Sequence, residues 1–297
     1  MKNFYDRITR KIISIKNSNK NIEIINLGCS ENGKHILGLF FNFKSESTFI
    51  IHASIHAREF ITTSFALSVA KKLANLDRKH TQKLPNILIV PLVNPDGVML
   101  AKIGLKSVKN HKKRQFLCNI NGKNANFKLF KANINGVDLN NNFDADFNLD
   151  PRYKHEPSIQ GYPGKYPSSE KEVQALLRSV EIFKPSFTIS LHTKGEEIYY
   201  DFKLKKEQIN AHKKLANIFA KKLEYKLVDG YGLSCGGFKD YCICKLKIPS
   251  ITIEMASDYY SYPLPKQALC DILKKTDAFI SAIEEGFQFL QNNKNQF

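Results

Sequence analysis

The apolar positions change period along the chain. "IEIINLG" (22–28) and "HILGLFFNF" (35–43) are rich in β-branched and aromatic residues and are joined by "CSENGK", whose Asn-Gly pair suits a tight turn; they predict an opening β-hairpin over about 22–43. "STFIIHASIH" (47–56) reads as a buried strand. From Arg58 to about Leu76, apolar groups recur at helical spacing through "FITTSFALSVAKKLANL", and the strand-like "NILIVPLVNP" then completes a β-α-β unit.

Residues 100–166 read differently, being basic, rich in Asn and Gly and poor in periodic pattern, which predicts long active-site loops that are functional or partly structured. Past them lie a helix with Glu170 and Glu172 at its start, the strand "FTISLH" (187–192) and a helix near 205–222. A short helix after "CGG", the strand "SITIEMA" (250–256) and one terminal helix from about Pro265 to Gln291 finish the chain. Strands alternating with helices predict an α/β fold with a mainly parallel or mixed sheet covered on both faces. No internal repeat and no linker divides residues 1–297, so one domain is expected.

Composition narrows the function classes. A chain of 297 residues, 42% hydrophobic, has enough apolar surface for a large core. Its net charge of +17 favours anionic partners by long-range attraction. The lysines are nevertheless spread over the whole chain, with no basic block interleaved with aromatics, which counts against a nucleic-acid partner. The start has no apolar core of signal-peptide length, and no later run is long and apolar enough to span a bilayer; the expectation is a cytoplasmic protein without a membrane partner. Oligomeric state is not legible. Cys29, Cys118, Cys235, Cys242, Cys244 and Cys270 form no paired C-x-x-C pattern and read as free thiols, although the spacing of Cys235, Cys242 and Cys244 also suits a thiolate metal site.

In an α/β sheet, sites form where strands end, so polar residues there carry information. His56 and Glu59 stand three apart where a strand gives way to a helix, "NPDG" (94–97) follows the next strand, His192 ends "FTISLH", and Glu254 lies inside "SITIEMA". Alone, His56 and Glu59 suit a core histidine and a helix-start carboxylate equally well. With His192 they make a His₂Glu set of the kind that holds a catalytic zinc and leaves a position open for water. Glu254 adds weight, because a carboxylate inside an apolar strand is costly unless it is paired, protonated or used.

"HAREF", "NPDGV", "GVDLNNNFD", "SLHTKG" and "ITIEMA", in this order, resemble the zinc carboxypeptidase family. The resemblance implies one zinc held by His56, Glu59 and His192, with Glu254 as general base and acid, in a single three-layer α/β/α domain with a mixed, eight-stranded sheet. "KANINGVDLNNNFDADF" (131–147), "LHTKGEEIYYDF" (191–202) and "SCGGFKDYCI" (234–243) look more closely like the bacterial branch that acts as γ-D-glutamyl-meso-diaminopimelate peptidase. A zinc-dependent peptidase acting on an acidic muropeptide is the leading expectation. A carboxypeptidase on protein C-termini and a basic non-catalytic binding module are the alternatives.

Asp138 in "GVDLN" is a turn residue or the carboxylate that orients His56. Asn94 and Asp96 order the neighbouring loop or form a plain turn. The family usually reads "DLNRNF", with an arginine that grips the substrate's terminal carboxylate; here Asn141 takes that place, beside a matching Asn140. Asparagine cannot supply the charged fork of arginine. A second arginine, which in the family steadies the oxyanion, is missing between Gln115 and Pro151, leaving Arg114, Lys123, Lys128 and Lys131 as candidates. By the same resemblance "GGFKDY" lines the specificity pocket: Asp240 pairs with a substrate amine or caps a helix, and Tyr231 and Tyr199 flank the substrate or pack as ordinary aromatics.

Overall fold

A computed structural model describes residues 3–228 and 235–297. In chain order the elements are α1 (Phe4–Ser18), β1 (Ile22–Cys29), β2 (His35–Phe41), β3 (Thr48–Ala53), α2 (Ile61–Ala74), α3 (Arg78–Thr81), β4 (Asn86–Val90), α4 (Pro95–Ile103) and α5 (His111–Ile120). They continue with α6 (Lys171–Phe183), β5 (Phe187–Thr193), β6 (Glu197–Tyr199), α7 (Lys206–Leu223), β7 (Lys226–Val228), α8 (Phe238–Cys244), β8 (Ser250–Met255), α9 (Lys266–Lys274) and α10 (Thr276–Asn292). The strands form one eight-stranded mixed sheet in the order β1-β2-β4-β3-β5-β8-β6-β7. Its centre, β4-β3-β5-β8, is parallel, while the β1/β2 hairpin and β6 attach antiparallel.

Side chains alternate across a strand, so each central strand feeds two layers. Phe49 and Ile51 on β3, Ile87 and Ile89 on β4, Phe187 and Ile189 on β5, and Ile251 and Ile253 on β8 enter the larger core, with Ile8, Phe65, Phe219 and Phe279 from the helices of that face. Ile50, Leu88 and Val90 point the other way, against Val173 and Leu176 of α6 and Phe238 and Cys242 of α8. Both faces are therefore covered, as a parallel centre requires.

Four local features refine or differ from the sequence expectation. The N-terminal segment forms α1, which buries Ile8, Ile12 and Ile15. The region 100–166 is partly structured: it holds the end of α4, two 3₁₀ turns and α5. The terminal helix is broken at Lys275 into α9 and α10. β6 and β7, three residues each, have no counterpart in the pattern. Among the described residues no helix is long and apolar enough to cross a membrane.

Candidate active site

On β5 and β8 the face turned from the larger core is polar: Thr188, Ser190 and His192 on one strand, Ser250, Thr252 and Glu254 on the other, paired in register with His192 opposite Glu254. Both side chains thus reach the carboxyl end of the parallel centre. One strand over, His52 of β3 stands opposite Ser190 and its Nε2 lies 2.8 Å from the hydroxyl.

The turn after β3 delivers the next two groups. Ser54 takes a left-handed conformation (φ 52°), and its hydroxyl lies 2.7 Å from that of Thr63 and 3.1 Å from that of Thr62. Thr62 in turn donates to the Glu59 carbonyl at 2.8 Å, fixing the 3₁₀ turn Ala57–Glu59 ahead of α2. His56 and Glu59 consequently face the same side: His56 Nδ1 lies 2.9 Å from Glu59 Oε1, His192 Nδ1 lies 3.2 Å from Glu59 Oε2, and the two Nδ1 atoms are 3.0 Å apart. All three residues are buried. Among the described residues they are the one group of three close metal-ligating side chains; Cys235, Cys242 and Cys244 do not join such a group, and burial pushes the Cys242 thiol up to about 12.

The arrangement fits a metal ion. Donors ~2.0–2.2 Å from a common zinc stand about 3 Å from one another, the size of the separations here. Hydrogen bonds alone do not satisfy two imidazole nitrogens that face each other and a shared carboxylate, because each ring nitrogen offers either one proton or one lone pair. Burial pushes the Glu59 carboxyl up, but His56 and His192 outweigh it and hold the group well below its ordinary range. Burial also lowers His192, favouring the neutral ring that a ligand must be.

Around this centre lies a cleft of ~440 Å³. Glu254 opens into it with a buried Oε2 that has no hydrogen-bond partner, and its carboxyl is pushed well above the ordinary range by burial first and by the charge of Glu59 second. Behind His56, Asp138 Oδ1 lies 3.2 Å from Nε2, a close contact without hydrogen-bond alignment. The other Asp138 oxygen stands 3.0 Å from Lys131 Nζ and accepts from the Gly161 N–H at 3.0 Å. Burial raises the Asp138 carboxyl, but Lys131 and His56 together hold it far below its usual value. Asn94 ties the surroundings by donating to the carbonyls of Ile55 and Ala132 and capping α4, while Asp96 pairs with Lys34 at 2.6 Å. Asp138→Asn is expected to weaken zinc binding about 10- to 100-fold, read by competition with a chromogenic chelator; unchanged affinity would remove Asp138 from that role.

The remaining residues separate. Asn140 lines the cleft and its Oδ1 accepts from the Phe238 N–H at 3.2 Å. Asn141 faces a neighbouring hollow with Arg152 and Tyr153 instead, because a 3₁₀ turn points Leu139, Asn140 and Asn141 in three directions. Tyr199 and Asp240 both line the cleft, but Tyr199 donates to Glu197 at 2.7 Å, and Asp240 already accepts from Lys239 and from the Gly237 N–H. Tyr231 lies outside the described residues. Arg114 needs correction as an oxyanion candidate: it sits on α5, where its Nε donates to the Val108 carbonyl, and it is not among the cleft residues. Lys123 and Lys128 are exposed elsewhere, and of the four candidates Lys131 lines the cleft.

Sequence reasoning passed over Arg58, Lys194, Lys239, Thr252 and Tyr262, all of which line the cleft. Arg58 lay inside the "HAREF" motif itself; its guanidinium stacks 4.5 Å from the Tyr262 ring and donates to Gln160. Thr252 was legible as the residue two before Glu254 on the same strand face.

Comparison with known proteins agrees with this geometry. A family model described as zinc carboxypeptidase matches residues 8–278. An uncharacterised protein of Bacillus subtilis is 30% identical over 276 residues, covering 86% of this chain and 71% of the relative. Gamma-D-glutamyl-L-diamino acid endopeptidase 1 of Lysinibacillus sphaericus is 30% identical over 229 residues, covering 72% of this chain; the chain spans 55% of that relative's length. In three dimensions, bovine thrombin-activatable fibrinolysis inhibitor superposes with a TM-score of 0.76 at 21% identity, covering 97% of each chain, a likeness of fold. The chain belongs to the zinc carboxypeptidase family of metallopeptidases.

Proposed function

We propose that this chain hydrolyses murein-derived peptides at the bond between a γ-D-glutamyl residue and a diaminopimelate-type diamino acid. The observation that carries the peptidase reading is the convergence of His56, Glu59 and His192 beside Glu254, a half-buried residue whose Oε2 has no hydrogen-bond partner, in an open cleft. The choice of bond is supported by the relative from Lysinibacillus sphaericus, whose name specifies a γ-D-glutamyl to diamino acid linkage. Asn141, turned into a separate hollow, leaves a C-terminal carboxypeptidase without the arginine such an enzyme uses there.

His56, Glu59 and His192 would hold the zinc. When bound, zinc supplies Lewis acidity toward the scissile carbonyl and lowers the pKa of water at the site. Glu254, whose Oε2 is free of hydrogen bonds at the cleft, takes a proton from the attacking water and delivers it to the leaving nitrogen. The negative charge of Asp138, 3.2 Å from His56 Nε2, favours a proton on that nitrogen and leaves Nδ1 to face Glu59. Lys131, anchored on Asp138, places a fixed positive charge at the cleft wall where the carbonyl oxygen becomes negative. Asn140 offers its amide N–H groups to the substrate.

The deciding experiment is hydrolysis of L-Ala-γ-D-Glu-meso-diaminopimelate by the zinc-loaded protein, followed by mass spectrometry beside an ordinary C-terminal peptide. Release of diaminopimelate from the first alone supports the proposal; cleavage of the second alone replaces it with the carboxypeptidase reading. Lys131→Met is expected to lower kcat about 10²- to 10³-fold with zinc content unchanged, and Lys131→Arg to restore most of it. Equal rates in all three proteins would remove Lys131 from the oxyanion role.

A further inference from the structure

A second set of buried carboxylates meets the loop that carries Lys131 and Asp138. Asp96 lies on the first turn of α4, Glu170 at the N-cap of α6 and Glu172 on the first turn of that helix; all three are buried, Glu172 to 1% exposure. Two of them are satisfied. Asp96 accepts from the Lys34 ammonium at 2.6 Å and from the Asn32 N–H at 2.8 Å. Glu170 accepts from the Ser169 hydroxyl at 2.8 Å through Oε1, and from the side-chain amides of Asn133 at 2.7 Å and Asn135 at 2.9 Å through Oε2. Glu172 receives one long contact, 3.4 Å from the Asn133 amide to Oε2, and its buried Oε1 has no hydrogen-bond partner among the described residues. Burial first, then the charges of Glu170 and Asp96, push its carboxyl up to about 8. An ionised carboxylate in this setting is costly, and the neutral acid is the form that the surroundings accept.

The amide held by this pair shapes the loop. Asn133 is fully buried, and its Nδ2 serves both glutamates while its Oδ1 accepts from the backbone N–H groups of Asn135 at 3.0 Å and Val137 at 3.1 Å. Its own N–H donates to the Val137 carbonyl at 2.9 Å. The turn 133–137 is therefore closed around one side chain. The residues that flank it are ones the site uses: Lys131 two positions before Asn133, and Asp138 directly after Val137. The charged groups around Glu172 are Glu170 on its own helix, Asp96 on α4 and Lys34 from the β1/β2 turn, with Lys113 of α5 donating to Asn135 Oδ1 at 2.8 Å. Lys171 reaches Glu31 instead, at 3.2 Å. Lys34 is committed to Asp96, so a proton lost from Glu172 sets a second negative charge beside Glu170 in a buried place.

We propose that Glu170 and Glu172 clamp Asn133 as a proton-dependent positioning device for the active-site loop: with Glu172 neutral the clamp holds Lys131 and Asp138 in place, and loss of its proton to solvent loosens them. The proposal rests on the roles given above to Lys131 and Asp138. Glu172 acts through Asn133 and is not among the residues that line the cleft.

The test compares the wild type with Glu172→Gln, which keeps a neutral group at every pH. Zinc affinity by chelator competition, kcat/KM on L-Ala-γ-D-Glu-meso-diaminopimelate and stability to urea are each followed against pH. At about pH 6 the two proteins should agree within about threefold in zinc affinity and kcat/KM. Above a midpoint near 8 the wild type should lose both relative to the variant, by up to about tenfold per pH unit. Asp96→Asn, which removes one of the charges acting on Glu172, should move that limb to lower pH. Stability has its own sign: the folded state holds a proton that the unfolded chain gives up in the ordinary carboxyl range. Wild-type stability relative to Glu172→Gln is thus present in acid, falls by about tenfold in the folding constant per pH unit up to about 8, and is level beyond. Superimposable profiles of zinc affinity and kcat/KM would overturn the positioning role even where the urea curves differ, because burial alone accounts for a stability difference. A wild type in which both quantities stay level to about pH 10 would overturn it with no variant needed. If the peptide is not cleaved, the murein reading fails on its own, and the zinc-affinity profiles still decide the role of the clamp.

Discussion

Replacing Glu254 by Gln is expected to reduce kcat about 10³-fold while the protein still binds one zinc. The magnitude is that of a positioned general acid and base, which contributes about 10² to 10⁴. Gln keeps the shape and the polar oxygen, and Glu254 makes no hydrogen bond through Oε2 that the substitution would break. Gln also leaves the side chain's volume unchanged at this half-buried position. Melting temperature should therefore hold while turnover disappears, a combination that a structural role for Glu254 would not produce. Metal analysis and single-turnover hydrolysis check both halves. A variant within tenfold of wild type would give the proton transfer to another group.

His192→Ala should abolish activity by a different route, through loss of the metal. His192 is 1% exposed at the end of β5, and its Nδ1 meets both His56 and Glu59. Removing it leaves two donors, and the fall in zinc affinity should exceed the ~10- to 100-fold effect of an outer hydrogen-bond partner. Mass spectrometry of dialysed protein is expected to find little zinc, and excess zinc should recover little turnover. Stoichiometric, tightly held zinc in this variant would move the ligand role elsewhere.

Much of this was written in the sequence, for particular physical reasons. The central strands were legible because buried parallel strands are continuous apolar runs, and the polar intruders His192 and Glu254 stood out against that background. Helix α1 is hard to see in the sequence although Ile8, Ile12 and Ile15 recur at helical spacing, because charged residues interrupt the apolar positions. β6 and β7 owe their form to pairing with neighbours distant in sequence, which a three-residue pattern cannot announce. Asn141 lines the hollow beside the cleft while Asn140 lines the cleft itself, a division set by the 3₁₀ turn that one-letter correspondence with "DLNRNF" does not carry.

The three candidate metal ligands come from two distant parts of the chain, with His56 and His192 separated by 136 positions. They meet only when β3 and β5 pair side by side, and Glu254 joins only when β8 docks on β5. Contacts of such sequence separation form late, after loop-closure entropy has been met by the central sheet. His56 and Glu59 leave the ribosome long before their partner, so zinc cannot template the early chain. Retention of zinc would then mark molecules whose central strands have paired correctly.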